Sequence, residues 1–300
     1  MQLKIALDWI PNTIHAGFYI AKHKQWYNNS GIEVIFDSPE TDNYAQTPVE
    51  KLLQGQVAFA IAPSEYVIQN HLRGNGELVA VATLFQESVT AWATLKKGRV
   101  IPNPVYAALK IPYEEVVIDH FRRFQPRFKH LKTIAPPKLQ TWELLKAGTA
   151  DWCWIYLPWE GLEAAHLNLP INSIKLTDAG IPYGHSPLLL TTHKLLKLHH
   201  TVFDSFLRFT AAGYFHAADY PKESALILEH YIAGNPQFIY KSLIDVSQAA
   251  LQVDGSWGIM SKQRWTEYAD WLLKQKAIPE LPPLDRLYSN TLLVENSFLG

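Results

Sequence analysis

The chain alternates short apolar runs with amphipathic ones, and that alternation narrows the fold more than any other feature. Leu3, Ile5 and Leu7 alternate with Gln2, Lys4 and Ala6, as in a strand with one buried face. The run stops at Asp8-Trp9-Ile10-Pro11-Asn12-Thr13. Pro11 cannot donate to a sheet and pushes Ile10 towards an extended conformation. Asn12 or Thr13 can then cap a helix through His15, Phe18, Tyr19 and Ala21. Residues 31–36 read as a second strand, 48–53 as a helix closed by Gly55, and 57–62 as a strand apolar enough to be covered on both faces. Pro63-Ser64-Glu65-Tyr66 opens another helix, with Ser64 as its cap, and strands at 78–85 and 91–95 follow. This rhythm predicts an α/β fold with a mostly parallel sheet, whose ligands bind in the turns beyond the strands.

The rhythm breaks at 96–104, a basic stretch with Gly98, Pro102 and Pro104, and then starts again. Residues 105–109 read as a strand, and Lys110-Ile111-Pro112-Tyr113-Glu114-Glu115 opens a helix. Residues 141–147 form a helix ended by Gly148, and 151–157 a strand running into Pro158-Trp159-Glu160-Gly161 and a helix. After a short strand at 174–176, Ile181-Pro182-Tyr183-Gly184-His185-Ser186 loops into an apolar return strand, and the chain is largely helical from His193 on. Two lobes follow from this, each with a mostly parallel sheet. Residues 1–95 and 190–300, with a helical C-terminal tail, form lobe I, and residues 99–187 form lobe II. Two hinge crossovers are expected near 96–104 and 186–192. Clefts between lobes are preferred ligand sites.

Several chemistries are disfavoured. A net charge of -1 leaves no basic footprint for nucleic acid. The single cysteine, Cys153, lies in an apolar run and allows neither an intramolecular disulfide nor a multi-cysteine metal site. There is no run of about 18 apolar residues, so no membrane span is expected. No basic and apolar leader precedes the first strand. A cytoplasmic protein is therefore expected, or a periplasmic or cell-surface one if an export signal has been removed. GxGxxG, GxxxxGK[ST] and HExxH are absent, and the 12 histidines are scattered, so neither cofactor nor metal is expected. Ser64, Glu65 and His185 surround no nucleophile elbow, so no catalytic residue is assigned and a binding role is expected over an enzymatic one.

What remains is a set of strand-to-helix turns rich in aromatic and hydrogen-bonding groups. They hold Trp9, Asn12 and His15; Ser64, Glu65 and Tyr66; Gln86; Pro112 and Glu114; Tyr156, Trp159 and Glu160; and Tyr183 and His185. A carboxylate accepts two hydrogen bonds from an amino-pyridine-like edge while an aromatic ring covers its face. That composition suits a small, flat, polar heterocycle. Trp9 with Tyr156 or Tyr183 is expected to sandwich the ring, and Asn12, Glu65 and Glu160 to bond its edge as the lobes close.

The stretch LDWIPNTIHAGFYIAKHKQWYNNSGIEV resembles the N-terminal signature of the NMT1/THI5-like family of thiamine-pyrimidine precursor proteins. LLQGQVAFAIAPSEYVI, DWCWIYLPWEGLEA and SWGIMSKQRWTEYADWL resemble three further segments of that family, in order along the chain. The resemblance implies a periplasmic-binding-protein-like fold (type II) and a ligand related to the pyrimidine half of thiamine. In the importer branch, solute-binding proteins capture formylaminopyrimidine or a hydroxymethylpyrimidine-like compound for uptake or salvage, with an ABC importer permease as partner. In the alternative branch, synthases build hydroxymethylpyrimidine phosphate from pyridoxal phosphate, with iron and a histidine of their own. This chain departs from the synthases, because their cysteine-rich run is reduced to Cys153 and their donor histidine falls at Tyr66. It also departs from the importer pattern, because the glycine-rich turn of the second lobe reads Ala107-Ala108-Leu109-Lys110-Ile111-Pro112.

Overall fold

The structure, a computed structural model, describes residues 1–96, 101–136, 138 and 140–294. The chain divides into two compact units. Unit 1 comprises Met1–Glu87, Gly184–Thr266 and Pro282–Gly300, and unit 2 comprises Ser88–Tyr183 and Glu267–Leu281. Residues 97–100 of the expected first crossover lie outside the described residues.

Unit 1 is built on strands β1 (Gln2–Ala6), β2 (Glu33–Asp37), β3 (Phe59–Ala62), β4 (Leu78–Thr83) and β10 (Leu188–Thr192), in the order β2-β1-β3-β10-β4. β1 pairs in parallel with β2 and β3, whereas β10 is antiparallel to both β3 and β4. β3 and β4 are buried along their whole length, as the apolar sequence of 57–62 foretold for the former. On one face Phe59 packs against Phe203 and Phe206 of the helix His200–Asp219, with centroids 4.3 and 4.9 Å apart.

That helix also crosses the helix Ala16–His23 at very short range. A Cβ on Gly213 would lie 2.0 Å from the Gly17 carbonyl oxygen, and one on Gly17 would lie 2.1 Å from the Tyr214 ring. Only glycine allows this approach. It brings the Tyr214 hydroxyl to within 2.6 Å of the Ile14 carbonyl, which it donates to, and so ties the first turn of the sheet to the helical layer.

Unit 2 repeats the plan with β5 (Thr90–Leu95), β6 (Val105–Ala107), β7 (Lys132–Ile134), β8 (Trp152–Tyr156) and β9 (Ile171–Lys175), in the order β7-β6-β8-β5-β9. Here β6 is parallel to β7 and β8, and β5 is antiparallel to β8 and β9. The fully buried Trp92 of β5 stacks on Tyr106 at 4.0 Å and on Phe121 at 3.9 Å. On the other face Trp142, Leu145, Cys153 and Ile155 form an apolar cluster, where burial pushes the Cys153 thiol up to about 12.

Each sheet is mixed but mostly parallel, as expected, with four strands running one way and one reversed. Two expectations about the lobes are corrected. Strand 90–95, read as the end of lobe I, is the reversed strand of unit 2, and Glu267–Leu281, read as part of lobe I's helical tail, also belongs to unit 2. Both misplacements have one cause. Apolar periodicity specifies that a segment is buried, but not which of two sheets buries it. The edge strand β7 was not foreseen, because its exposed residues Lys132 and Thr133 carry no apolar alternation.

Candidate functional site

Sheet direction puts the candidate residues of each unit along one edge. In unit 1 the turns after β1, β3 and β4 carry Trp9, Asn12 and His15; Ser64, Glu65 and Tyr66; and Gln86. Because β10 runs the other way, its entry carries His185 to that same edge. In unit 2 the turns after β6, β8 and β9 carry Pro112 and Glu114; Tyr156, Trp159 and Glu160; and Tyr183. These are the carboxyl-end mouths where open α/β sheets hold ligands.

The first turn of unit 1 is tightly specified. The Asn12 side chain accepts the Ile14 N–H at 2.8 Å, and His15 Nδ1 accepts the Asn12 N–H, which closes a capping box on the turn Thr13–His15. With Nδ1 accepting, Nε2 carries the proton that His15 gives to Asp8, 2.9 Å away. Asn12 and His15 are buried, so both act here as the frame of the turn. Asp8 keeps 16% of its side chain exposed and has further acceptor capacity.

Trp9 is half-buried and meets Tyr44 edge-on, with ring centroids 6.1 Å apart. Tyr44 lies in the turn after β2, where Asn43 and Tyr44 both take positive φ values of 55° and 61°. Neither is glycine, so this backbone is strained and must be held by its surroundings. Just before it, the buried Lys51 ammonium reaches Asp37 at 3.2 Å and Asp42 at 3.0 Å, on either side of the preceding turn. Burial pushes the Asp37 carboxyl up, but the hydrogen bonds from Thr41 and Lys51 outweigh it and hold the group below its ordinary value. Sequence reading missed Tyr44. The available signal was its place after β2, the strand beside β1.

The remaining candidates of unit 1 are more structural. Ser64 does not cap its helix. Pro63 takes the cap position, and the Ser64 hydroxyl donates to the buried Glu65 carboxylate at 3.2 Å. Tyr66 is half-buried beside them. Gln86 donates to the Ile259 carbonyl and accepts from Gln252, so both ends of its amide are engaged. His185 accepts the Ser261 N–H on Nε2 at 2.8 Å. Burial, and secondarily the Arg264 charge, push its pKa down to about 4.

In unit 2 the turn after β6 closes on a carboxylate. Glu114 is buried, and its oxygens accept from the Tyr106 hydroxyl at 2.9 Å, the Leu109 N–H at 2.9 Å and the Lys110 N–H at 2.7 Å. Pro112 sits half-buried in the same loop. After β8 the chain makes a wide turn at Leu157–Gly161, in which the Glu160 carboxylate accepts the Tyr156 N–H at 2.9 Å. Tyr156 and Glu160 are half-buried, whereas Trp159 is packed inside. Tyr183 is buried edge-on against Trp154 and Tyr268, each 5.4 Å away. A groove of about 410 Å³ in this unit runs between Ile181 and Pro182 on one side and Trp271, Asp270 and Lys274 on the other, and no candidate residue lines it. Among the described residues no three His, Cys, Asp or Glu side chains converge as metal ligands would. No described helix is long and apolar enough to cross a membrane.

Comparison with solved structures identifies the architecture. The ligand-binding component of an ABC-type import system from Staphylococcus aureus superposes with a TM-score of 0.71 at 16% identity, covering 99% of each chain. The alkanesulfonate-binding protein SsuA of Xanthomonas axonopodis pv. citri, bound to MOPS, gives 0.71 at 12% identity over 96% of this chain and 98% of its own. A Candida albicans gene product described as having the generic periplasmic binding protein fold gives 0.66 at 13% identity over 98% and 97%. The present chain has that fold. Comparison with curated proteins returns no significant match. A family described as NMT1/THI5 like matches residues 12–224.

Proposed function

Because the chain belongs to the NMT1/THI5-like family, we propose that it is a solute-binding protein for a thiamine-pyrimidine precursor, a formylaminopyrimidine- or hydroxymethylpyrimidine-like ring, and that it serves uptake or salvage. The observation that carries this reading is the first mouth of unit 1. There a half-buried indole, Trp9, stands beside Tyr44, with the partly exposed Asp8 carboxylate one residue away in sequence. A flat apolar face next to an acceptor is what an aminopyrimidine asks for, since its ring stacks and its amino group donates. Glu65 and Glu160 stand at equivalent places in the two units, each in the first turn after the third strand of its sheet. The Ser64-Glu65-Tyr66 turn offers a tyrosine, Tyr66, where the synthase reading needs a histidine, which favours binding over synthesis. An ABC importer permease is the partner this role implies.

Native mass spectrometry of the protein purified from cells tests the reading. A copurifying free aminopyrimidine is the expected result. Bound pyridoxal phosphate would transfer the chain to the synthase branch, and a bound sulfonate would overturn the pyrimidine assignment.

A further inference from the structure

The groove of unit 2 takes no part in the pyrimidine reading, and its chemistry is of a different kind. One wall is formed by residues 177–182, which follow β9. The other is the helix Lys262–Lys274, which contributes Glu267, Asp270, Trp271 and Lys274. All the lining residues belong to unit 2. Ile181 and Trp271 are buried and Pro182 is half-buried, so the floor is apolar. One residue fixes both walls. His120, on the helix Glu114–Phe124, donates from Nε2 to the Ala179 carbonyl at 2.7 Å, and its ring meets Trp271 edge-on with centroids 5.6 Å apart. The segment behind Ala179 is closed on itself as well, with the Ile181 N–H donating to the Leu176 carbonyl at 3.0 Å. The groove is therefore preformed, and its 410 Å³ falls in the range of small-molecule sites.

Charge is laid out along this groove in an unusual way. Asp270 and Lys274 are one helical turn apart with the acid first, the spacing and order in which such residues ordinarily pair. Here they do not. Among the described residues neither side chain makes an ion pair or a hydrogen bond. Glu267, one turn before Asp270, puts a second carboxylate at the acidic end. An acidic end, a basic end and an apolar floor thus share one cavity. We propose that this groove is a second ligand site, and that it takes a free α-amino acid with a large apolar side chain. Asp270 receives the ammonium, Lys274 receives the carboxylate, and the side chain lies against Trp271, Ile181 and Pro182. The bound zwitterion completes the unmade pair by standing between its two charges. A spacing of one turn, about 6 Å of rise, suits an ammonium and a carboxylate carried on one carbon. The ends of a peptide stand further apart. The proposal does not rest on the pyrimidine reading.

The test is calorimetric titration of the full chain with L-phenylalanine, L-phenylalaninamide and N-acetyl-L-phenylalanine. The second lacks the carboxylate and the third lacks the ammonium. L-phenylalanine is expected to bind saturably, one per chain, with a dissociation constant at or below about 1 mM. Each analogue should bind about fivefold more weakly, the scale of one ion pair at a partly exposed site. Lys274→Gln should weaken phenylalanine and erase its advantage over the amide. Asp270→Asn should weaken it and erase its advantage over the N-acetyl compound. A general loss of structure would lower all three ligands together and leave their ratios unchanged. Trp9→Ala, which alters unit 1, should leave the phenylalanine titration as it is in the parent. The proposal is overturned by no saturable heat up to about 10 mM, by equal binding of the three compounds, or by either groove variant keeping the parent's ratios. Loss of phenylalanine binding in Trp9→Ala overturns it too, since the amino acid would then sit in the first mouth of unit 1. None of these arms uses a pyrimidine, so failure of the pyrimidine reading leaves the result intact.

Discussion

The two units share one strand order, with the reversed strand in the same place, yet they finish their first mouths in opposite ways. In unit 1 the turn after β1 is capped by a neutral amide, Asn12, and its carboxylate, Asp8, stays at the surface and takes one bond from His15. In unit 2 the turn after β6 is capped by nothing polar at Tyr113, and its carboxylate is drawn inside to satisfy the loop amides. The same backbone plan thus yields one mouth with a carboxylate available to a ligand and one whose carboxylate is spent on the fold. Topology specifies where such a mouth lies, and its side chains decide whether a polar group stays open or is spent on the fold.

The largest expected effect separates how the units are packed. Gly213→Ala would drive a Cβ into the Gly17 carbonyl, which is backbone and cannot turn away. It is expected to cost more than about 3 kcal/mol and to abolish cooperative unfolding of unit 1, as read by calorimetry. By contrast, Gly161→Ala in unit 2 meets only the Leu157 side chain at 3.5 Å and should cost less than about 1 kcal/mol. Equal losses in the two variants would break the comparison.

pH should pull the two mouths in opposite directions. His185, lowered from 6.5 to about 4 chiefly by burial, leaves the unfolded chain binding a proton that the folded one refuses. Its contribution is complete above pH 6.5 and is lost as pH falls towards 4, by about 3 kcal/mol in total. Glu114 is raised above 4.5, so its contribution is complete below 4.5 and is lost as pH rises through the elevated value. Urea unfolding from pH 7 to 4 should therefore show a steep acid loss that His185→Gln removes. Glu114→Gln should instead relieve the loss on the alkaline side. An acid limb unchanged in His185→Gln would refute the assignment to that residue.

Part of this was legible in the sequence. The strand–turn–helix beat marked most of the strands and the first capped turn, because apolar spacing and capping residues are local signals. Asn12 or Thr13 was expected to cap the first turn, and the structure makes Asn12 the cap. The assignment of β5 to a sheet depended on pairing with β8 and β9, which are distant in the chain and leave no trace in its own residues. The candidate turns were visible, but the role of each side chain within them was not. Gln86 and His185 read as donors for a ligand and are bonded to Gln252 and Ser261, which stand far away in sequence. Glu114 gave no sign of folding back, since that depends on Lys110 taking a left-handed angle that no local rule assigns to lysine.

A smaller effect on stability, and a specific one on binding, is expected at the unit 1 mouth. Trp9→Ala removes a half-buried ring whose aromatic neighbour is Tyr44. Its melting temperature should change little, while affinity for the aminopyrimidine falls about tenfold to a hundredfold. A variant that stays folded and binds like the parent would place the ligand elsewhere.

The central claim is that a periplasmic-binding-protein fold here serves a neutral aminopyrimidine. Calorimetric titration of the unmodified chain with 4-amino-5-hydroxymethyl-2-methylpyrimidine, set beside an alkanesulfonate, tests it most directly. The account predicts saturable binding of one pyrimidine per chain, with a dissociation constant at or below about 1 μM, and no saturable heat from the sulfonate. Saturable binding of the sulfonate with none of the pyrimidine would contradict it.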